Sequence, residues 1–204
     1  MNFKQDVVLS LRRLRKDLGF TGIAVAILAL GIGVNTAIFS LVNVILLRPI
    51  TGVSADRIVG LFQKDETRPD SYRSFSYPDY KDIREGNEIF ESVMAHNFAM
   101  VGLTEGEVTR RVFADVVSSN YFQTLGVRLL RGRAFSADEE TPGHETPVAI
   151  LGYGLWKKMG QSESAVGSQI KVNAKSFTVV GIAPDGFSGT MALAAPELWL
   201  PLSV

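Results

Sequence analysis

From Phe20 to Leu47 the chain reads FTGIAVAILALGIGVNTAIFSLVNVILL, and no charged residue interrupts it. As an α-helix, at ~1.5 Å per residue, the stretch runs about 40 Å, against a bilayer core of ~30 Å. It lacks the polar stripe of a surface helix. The pattern therefore predicts a membrane-spanning helix over 20–47. A signal-peptide core is about 7–15 residues long and ends in small residues. This stretch is longer and closes on Leu46-Leu47-Arg48-Pro49, so an uncleaved span is expected.

Before the span, Phe3, Val7, Leu11, Leu14 and Leu18 recur at helical spacing. This predicts a short amphipathic basic helix over 1–19, lying on the anionic cytoplasmic leaflet. After the span, hydrophobic alternation takes over. Ile58 to Phe62 predicts a strand. Ser76-Tyr77-Pro78-Asp79 opens a helix, with Ser76 as cap and Pro78 early in the first turn. Val93–Leu103 and Val108–Val117, joined at Glu105-Gly106-Glu107, predict a hairpin. A short helix over Tyr121 to Leu125, capped by Ser118-Ser119-Asn120 and ended by Gly126, follows, and Ser136-Ala137-Asp138-Glu139 reads as another capped turn. Pro147 to Leu151 reads as a buried strand and Leu155 to Met159 as a helix. A second hairpin spans 170–172 and 176–182, and Leu198 to Pro201 is a final strand. Hairpins mixed with short helices predict an α+β domain over 48–204. Asn173-Ala174 lies at the second turn where Asn-Gly would suit a tight type I′ turn. Ala at positive φ costs roughly 1 kcal/mol relative to Gly, so a longer or differently shaped turn is expected there.

Charge sharpens the topology. The formal net charge is zero, but Lys4, Arg12, Arg13, Arg15 and Lys16 cluster before the span. Basic residues beside a span stay on the cytoplasmic side. The N-terminus is therefore expected inside and 48–204 outside. No basic patch of the kind that binds nucleic acid stands out. The chain has no cysteine, which excludes disulfides, thiolate metal sites and cysteine nucleophiles.

Within the span, Gly31, Gly33, Asn35, Thr36 and Asn43 are the candidate functional positions. Small residues let a second helix approach, and polar groups at membrane depth are better satisfied by a neighbouring helix than by lipid. The span thus reads as one member of a helix bundle.

Catalytic patterns do not emerge. No Gly-x-Ser-x-Gly elbow and no phosphate-binding G-x-x-x-x-G-K-[S/T] occurs. His96 reads as a strand residue and His144 as an exposed loop residue, without metal-ligand spacing. Asp79, Asp82, Glu85, Glu88 and Glu91 read as a solvated helical face. No catalytic residue, metal or cofactor is assigned.

The run GFTGIAVAILALGIGVNTAIFSLVNVILLRPI resembles the first span of MacB/FtsX-like ABC transporter permeases, most of all the large duplicated permeases of acidobacterial genomes. The later blocks resemble the MacB-like periplasmic core domain in order. They are Ser76-Tyr77-Pro78-Asp79-Tyr80, then Ser119-Asn120-Tyr121-Phe122 with Leu125-Gly126-Val127, then Gly132-Arg133 with Phe135. Leu155-Trp156, Val179-Val180-Gly181-Ile182 with Gly186-Phe187, and Leu198-Trp199-Leu200-Pro201-Leu202 complete the series. The resemblance implies the N-terminal part of a permease subunit in a bacterial inner membrane. It implies an ATP-driven export or mechanotransmission system, with ATP bound by a separate ABC ATPase subunit. Other implied partners are further permease spans or a second permease half, and a periplasmic adaptor protein. The alternative reading is a membrane-tethered periplasmic interaction or regulatory module that transports nothing. In the family three more spans follow the domain, so an end at Val204 is expected to mark a fragment or a truncated reading frame.

Overall fold

The computed structural model describes residues 12, 14–43, 57–64, 71–143, 146–190 and 195–204. The chain divides into two units, Met1–Arg48 and Pro49–Val204.

The first unit is built on α1, Leu18–Val42. Residues 14–16 are helical as well, but Asp17 leaves the helical region with φ −119° and ψ 75°. Thr21 bridges the break by donating its hydroxyl to the Leu14 carbonyl at 2.7 Å. Residues 14–16 and α1 are thus two helical pieces with a joint at Asp17. Over Leu18–Ser40 the helix is long and apolar enough to cross a membrane. The last residues of the predicted span, 44–47, lie outside the described set.

In the second unit, β1 (Gln63–Lys64) and β2 (Tyr72–Arg73) form a small antiparallel ribbon. Helix α2 (Tyr77–Glu85) follows. The long strands β3 (His96–Glu105) and β4 (Val108–Val117) make the predicted hairpin. Next come α3 (Tyr121–Thr124), β5 (Arg131–Gly132), α4 (Ala137–Glu140), β6 (Val148–Leu151) and α5 (Tyr153–Lys158). A 3-10 turn at Glu163–Ala165, then β7 (Gln169–Val172), β8 (Lys175–Ile182) and β9 (Leu198–Pro201) complete the domain.

The sheet order is β5-β8-β6-β9-β4-β3-β7, and β7 also pairs with β8. Strands β8, β6, β9, β4, β3 and β7 therefore close into a ring, with β5 added beside β7 on the far end of β8. Pairs β4–β9 and β6–β8 are parallel and the rest antiparallel. Every strand of the ring sends side chains into one interior cluster. Leu103, Val112, Leu151, Val172, Phe177 and Leu198 are representative. Trp156 of α5 packs against the same cluster and donates its indole N–H to the Ser162 carbonyl.

A second apolar layer lies outside the ring. Alternate residues of β6, β8 and β9, namely Val148, Ile150, Val180 and Trp199, meet Tyr121, Phe122 and Leu125 from α3 and its end. Strands β6 and β9 are buried on both faces. A register shift between Ala149 and Ile150 puts an extra residue in β8, so that Val179 and Ile182, three residues apart, both face in.

Two expectations fail. Ile58 to Phe62 is not a strand; only Gln63–Lys64 pairs, with Tyr72–Arg73. Val59 and Phe62 are 61% and 71% exposed. A short apolar run becomes a strand only where another strand receives its hydrogen bonds, and none among the described residues does so here. The second turn is the other correction. It is tight, with only Asn173 (φ 49°) and Ala174 (φ 65°) between paired Val172 and Lys175. The Asn173 amide N–H donates to the Gly102 carbonyl, and its Oδ1 accepts from the Gly102 N–H, both at 2.8 Å. These bonds to β3 hold the turn in the left-handed region against the local preference of Ala174.

Candidate functional site

The candidate positions on α1 and at its C-cap Asn43 all face outward. Gly31, Gly33, Asn35, Thr36 and Asn43 are exposed, and nothing lies within 4 Å of where a Cβ would stand at either glycine. Arg12, Arg15 and Lys16 are exposed on the segment before Asp17. Lys4 and Arg13 lie outside the described residues, as does His144. The helix thus presents its small and polar residues on an open surface.

In the domain, the sequence blocks act as a scaffold. Ser76 and Asp79 form a reciprocal capping box: the Asp79 N–H donates to Ser76 Oγ, and the Ser76 N–H donates to Asp79 Oδ2 at 3.0 Å. The Ser76 hydroxyl, followed by its amide, holds the Asp79 carboxyl below the ordinary range. One turn on, Tyr80 is buried and Arg84 donates to its hydroxyl at 3.0 Å. Burial is the first cause that raises the Tyr80 phenol.

Arg84 also donates to Glu140 Oε1 at 2.9 Å. Glu140, 1% exposed, accepts from the Ser119 N–H and hydroxyl through its other oxygen. One buried carboxylate therefore joins α2, the start of α3 and α4. Its neighbour Glu139 binds Arg133 through both oxygens, at 2.9 and 2.7 Å, and accepts from the Ser136 N–H. The Arg133 hydrogen bonds are the main reason that the Glu139 carboxyl sits below its ordinary range, against the opposing effect of burial. Gly132, at φ 75°, has no room for a side chain, because a Cβ would stand 2.1 Å from the Val180 carbonyl oxygen. Phe187 stacks on Trp199 at 5.4 Å.

The five carboxylates read as a solvated face are exposed. Helix α2 ends at Gly86, so Glu88 and Glu91 lie beyond it, and Glu91 pairs with Arg57. Among the described residues no group of three His, Asp or Glu side chains converges on a metal position.

One polar constellation escaped the sequence reading. Asp115, fully buried on β4, accepts from the Tyr121 hydroxyl at 3.1 Å and lies 3.3 Å from His96 Nδ1. Burial, then the Asp115 charge, raises the Tyr121 phenol. The other imidazole nitrogen lies 3.3 Å from Thr190 Oγ1, and the Thr190 N–H donates to the Tyr121 oxygen. Gly189 makes the approach possible, since a Cβ there would stand 2.8 Å from that oxygen. The network pins the 186–190 loop over the outer layer. Its only trace in the sequence is one aspartate in an otherwise apolar half-strand.

The structure thus holds one helix long and apolar enough to cross a membrane and an α+β domain in which six strands close into a ring around an apolar core. The chain belongs to the family of MacB-like periplasmic core domains, whose model matches residues 21–204. Two solved structures share the fold. The periplasmic region of MacB from Actinobacillus actinomycetemcomitans aligns with a TM-score of 0.55 at 18% identity, over 70% of this chain and 63% of that one. The extracellular domain of the ABC-type transporter YknZ from Gram-positive bacteria aligns with a TM-score of 0.52 at 14% identity, over 69% and 70%. The chain thus spans less than two thirds of the MacB periplasmic region. No match to a curated protein was found.

Proposed function

We propose that the chain is the N-terminal part of a permease subunit in an ATP-driven ABC export or mechanotransmission system. The observation that carries this is the extent of the family match, which begins inside the apolar helix and runs through the domain to Val204. In this reading the basic residues Lys4, Arg12, Arg13, Arg15 and Lys16 hold the N-terminus in the cytoplasm, and 48–204 lies outside the inner membrane. Gly31, Gly33, Asn35, Thr36 and Asn43 face other permease spans or a second permease half. ATP enters through a separate ABC ATPase subunit, as the family membership suggests; residues 1–204 contain no phosphate-binding loop. The domain passes the resulting motion to substrate or to a periplasmic adaptor protein.

The test is affinity purification of the full chain from native membranes. Co-purification of a P-loop ATPase, lost when Asn35 and Thr36 are both replaced by Leu, is the expected result. Recovery of a peptidoglycan hydrolase with no ATPase would overturn the transport reading. Alkaline phosphatase joined after residue 60 is expected to be active; activity of a cytoplasmic reporter alone at that point would reverse the topology.

A further inference from the structure

We propose that the ring opens at the β3–β7 seam, as a cooperative unit separate from the rest of the domain. At this junction only Leu103 with Val172 and Thr104 with Lys171 stand in register. Below Gly102, β3 runs on without β7, whose chain has already turned at Asn173. The junction between β6 and β9 is equally short, but those strands are buried on both faces. The seam is not: Lys171 is exposed and Thr104 half-buried. Leu103 and Val172 fill the core on the inner face, so the weakness lies in the shortness of the pairing and in its solvent-facing outer side, a mark of the part of a fold that opens first.

Two further observations fall at the same place. Ala174, the non-glycine residue with φ 65°, sits at the tip of the hairpin that would move. The pairing of Val172 with Lys175 keeps the two-residue turn closed, and the bonds from Asn173 to Gly102 are what tie this hairpin tip to β3. At the foot of the seam a cleft of about 510 Å³ is lined by Leu103, Thr104, Met159, Ile170 and Lys171. Opening widens this cleft and leaves the β6–β9–β4 side of the core intact.

The strand geometry gives the proposal a sharp signature. Successive residues of a strand direct their backbone groups to opposite sides. Gly102 faces β7, so Thr104 does too, while Val101 and Leu103 face β4. On β7, Asn173 and Lys171 face the seam. Residue-level amide exchange on the full chain in lipid nanodiscs should therefore alternate along one strand. The amides of Gly102, Thr104, Lys171 and Asn173 are expected to exchange at least tenfold faster than those of Val101, Leu103 and Val112. A disulfide across the register pair, in the variant T104C/K171C, is expected to remove the difference. Asn173→Ala is expected to speed the seam amides a further fivefold or more, about the weight of one hydrogen bond, with Ile150 and Trp199 unchanged. Equal rates at both sets of β3 amides would overturn the proposal. So would an Asn173→Ala effect that reached every amide alike, because the seam would then open only with global unfolding.

Discussion

Replacing Ala174 with glycine should stabilise the domain, although no contact is added. At φ 65° an L-residue crowds its Cβ against the backbone, a cost of ~1–2 kcal/mol that glycine avoids. Glycine also gives the unfolded chain more freedom, which takes back ~0.4–1 kcal/mol. The net gain is about 0.5–1 kcal/mol. For a domain of this size ~1 kcal/mol moves the midpoint by about 2–4 °C, so Ala174→Gly is expected to raise Tm by about 1–4 °C. Trp156 and Trp199, the chain's two tryptophans, both lie in the domain core. Intrinsic fluorescence of the full chain in detergent therefore reports this unit alone. The neighbouring Asn173→Gly change is the control. It also suits positive φ, but it removes the Oδ1 acceptor of the Gly102 N–H, at ~1 kcal/mol. Opposite signs at adjacent positions of one turn are expected. If Ala174→Gly leaves Tm unchanged or lowers it, the left-handed turn and the reasoning from it are wrong.

Glu140→Ala strands the Ser119 N–H and the half-buried Arg84, and is expected to cost about 3 kcal/mol. Glu140→Gln, which keeps an acceptor, should cost about 1 kcal/mol, both read from denaturant midpoints; a cost below ~1 kcal/mol for the alanine variant would remove Glu140 as the hub. Gly132→Ala places a methyl 2.1 Å from the Val180 oxygen at φ 75°, so loss of the folded domain, or of at least ~3 kcal/mol, is expected in expression and melting assays. Acid should weaken the fold through Glu139 and Glu197, whose carboxyls are held below the ordinary range chiefly by hydrogen bonds from Arg133 and Arg110 respectively. A lowered folded value means stability present above ~4.3 and lost as pH falls through the folded value. Tm is expected to drop steeply below about pH 4, and the Arg110→Met/Arg133→Met double variant should flatten that slope; an unchanged slope refutes the assignment.

Most elements from Ser76 onward were legible locally, but not strand β5, the 3-10 turn at Glu163–Ala165 or the helical form of α4. Ser76 and Ser136 cap where their serine-to-acid spacing places them, and the β3–β4 hairpin follows its alternation. The apolar run gave α1, because no partner is needed for a helix to satisfy its own backbone. Where a partner is needed, local pattern did not suffice. Ile58 to Phe62 is an apolar run that reads as a strand, and it joins no sheet among the described residues. Asn173-Ala174 disfavours a tight turn, yet Gly102, far away in sequence, imposes one. The sequence determined a membrane helix followed by a family of capped helices and short strands, since capping, periodicity and apolar length act between near neighbours. Only the tertiary structure decided that six strands close into a ring, that Asp115 is buried against His96 and Tyr121, and that the ring has a weak seam. Those outcomes rest on pairings between residues distant along the chain, and neither periodicity nor composition encodes which strand meets which.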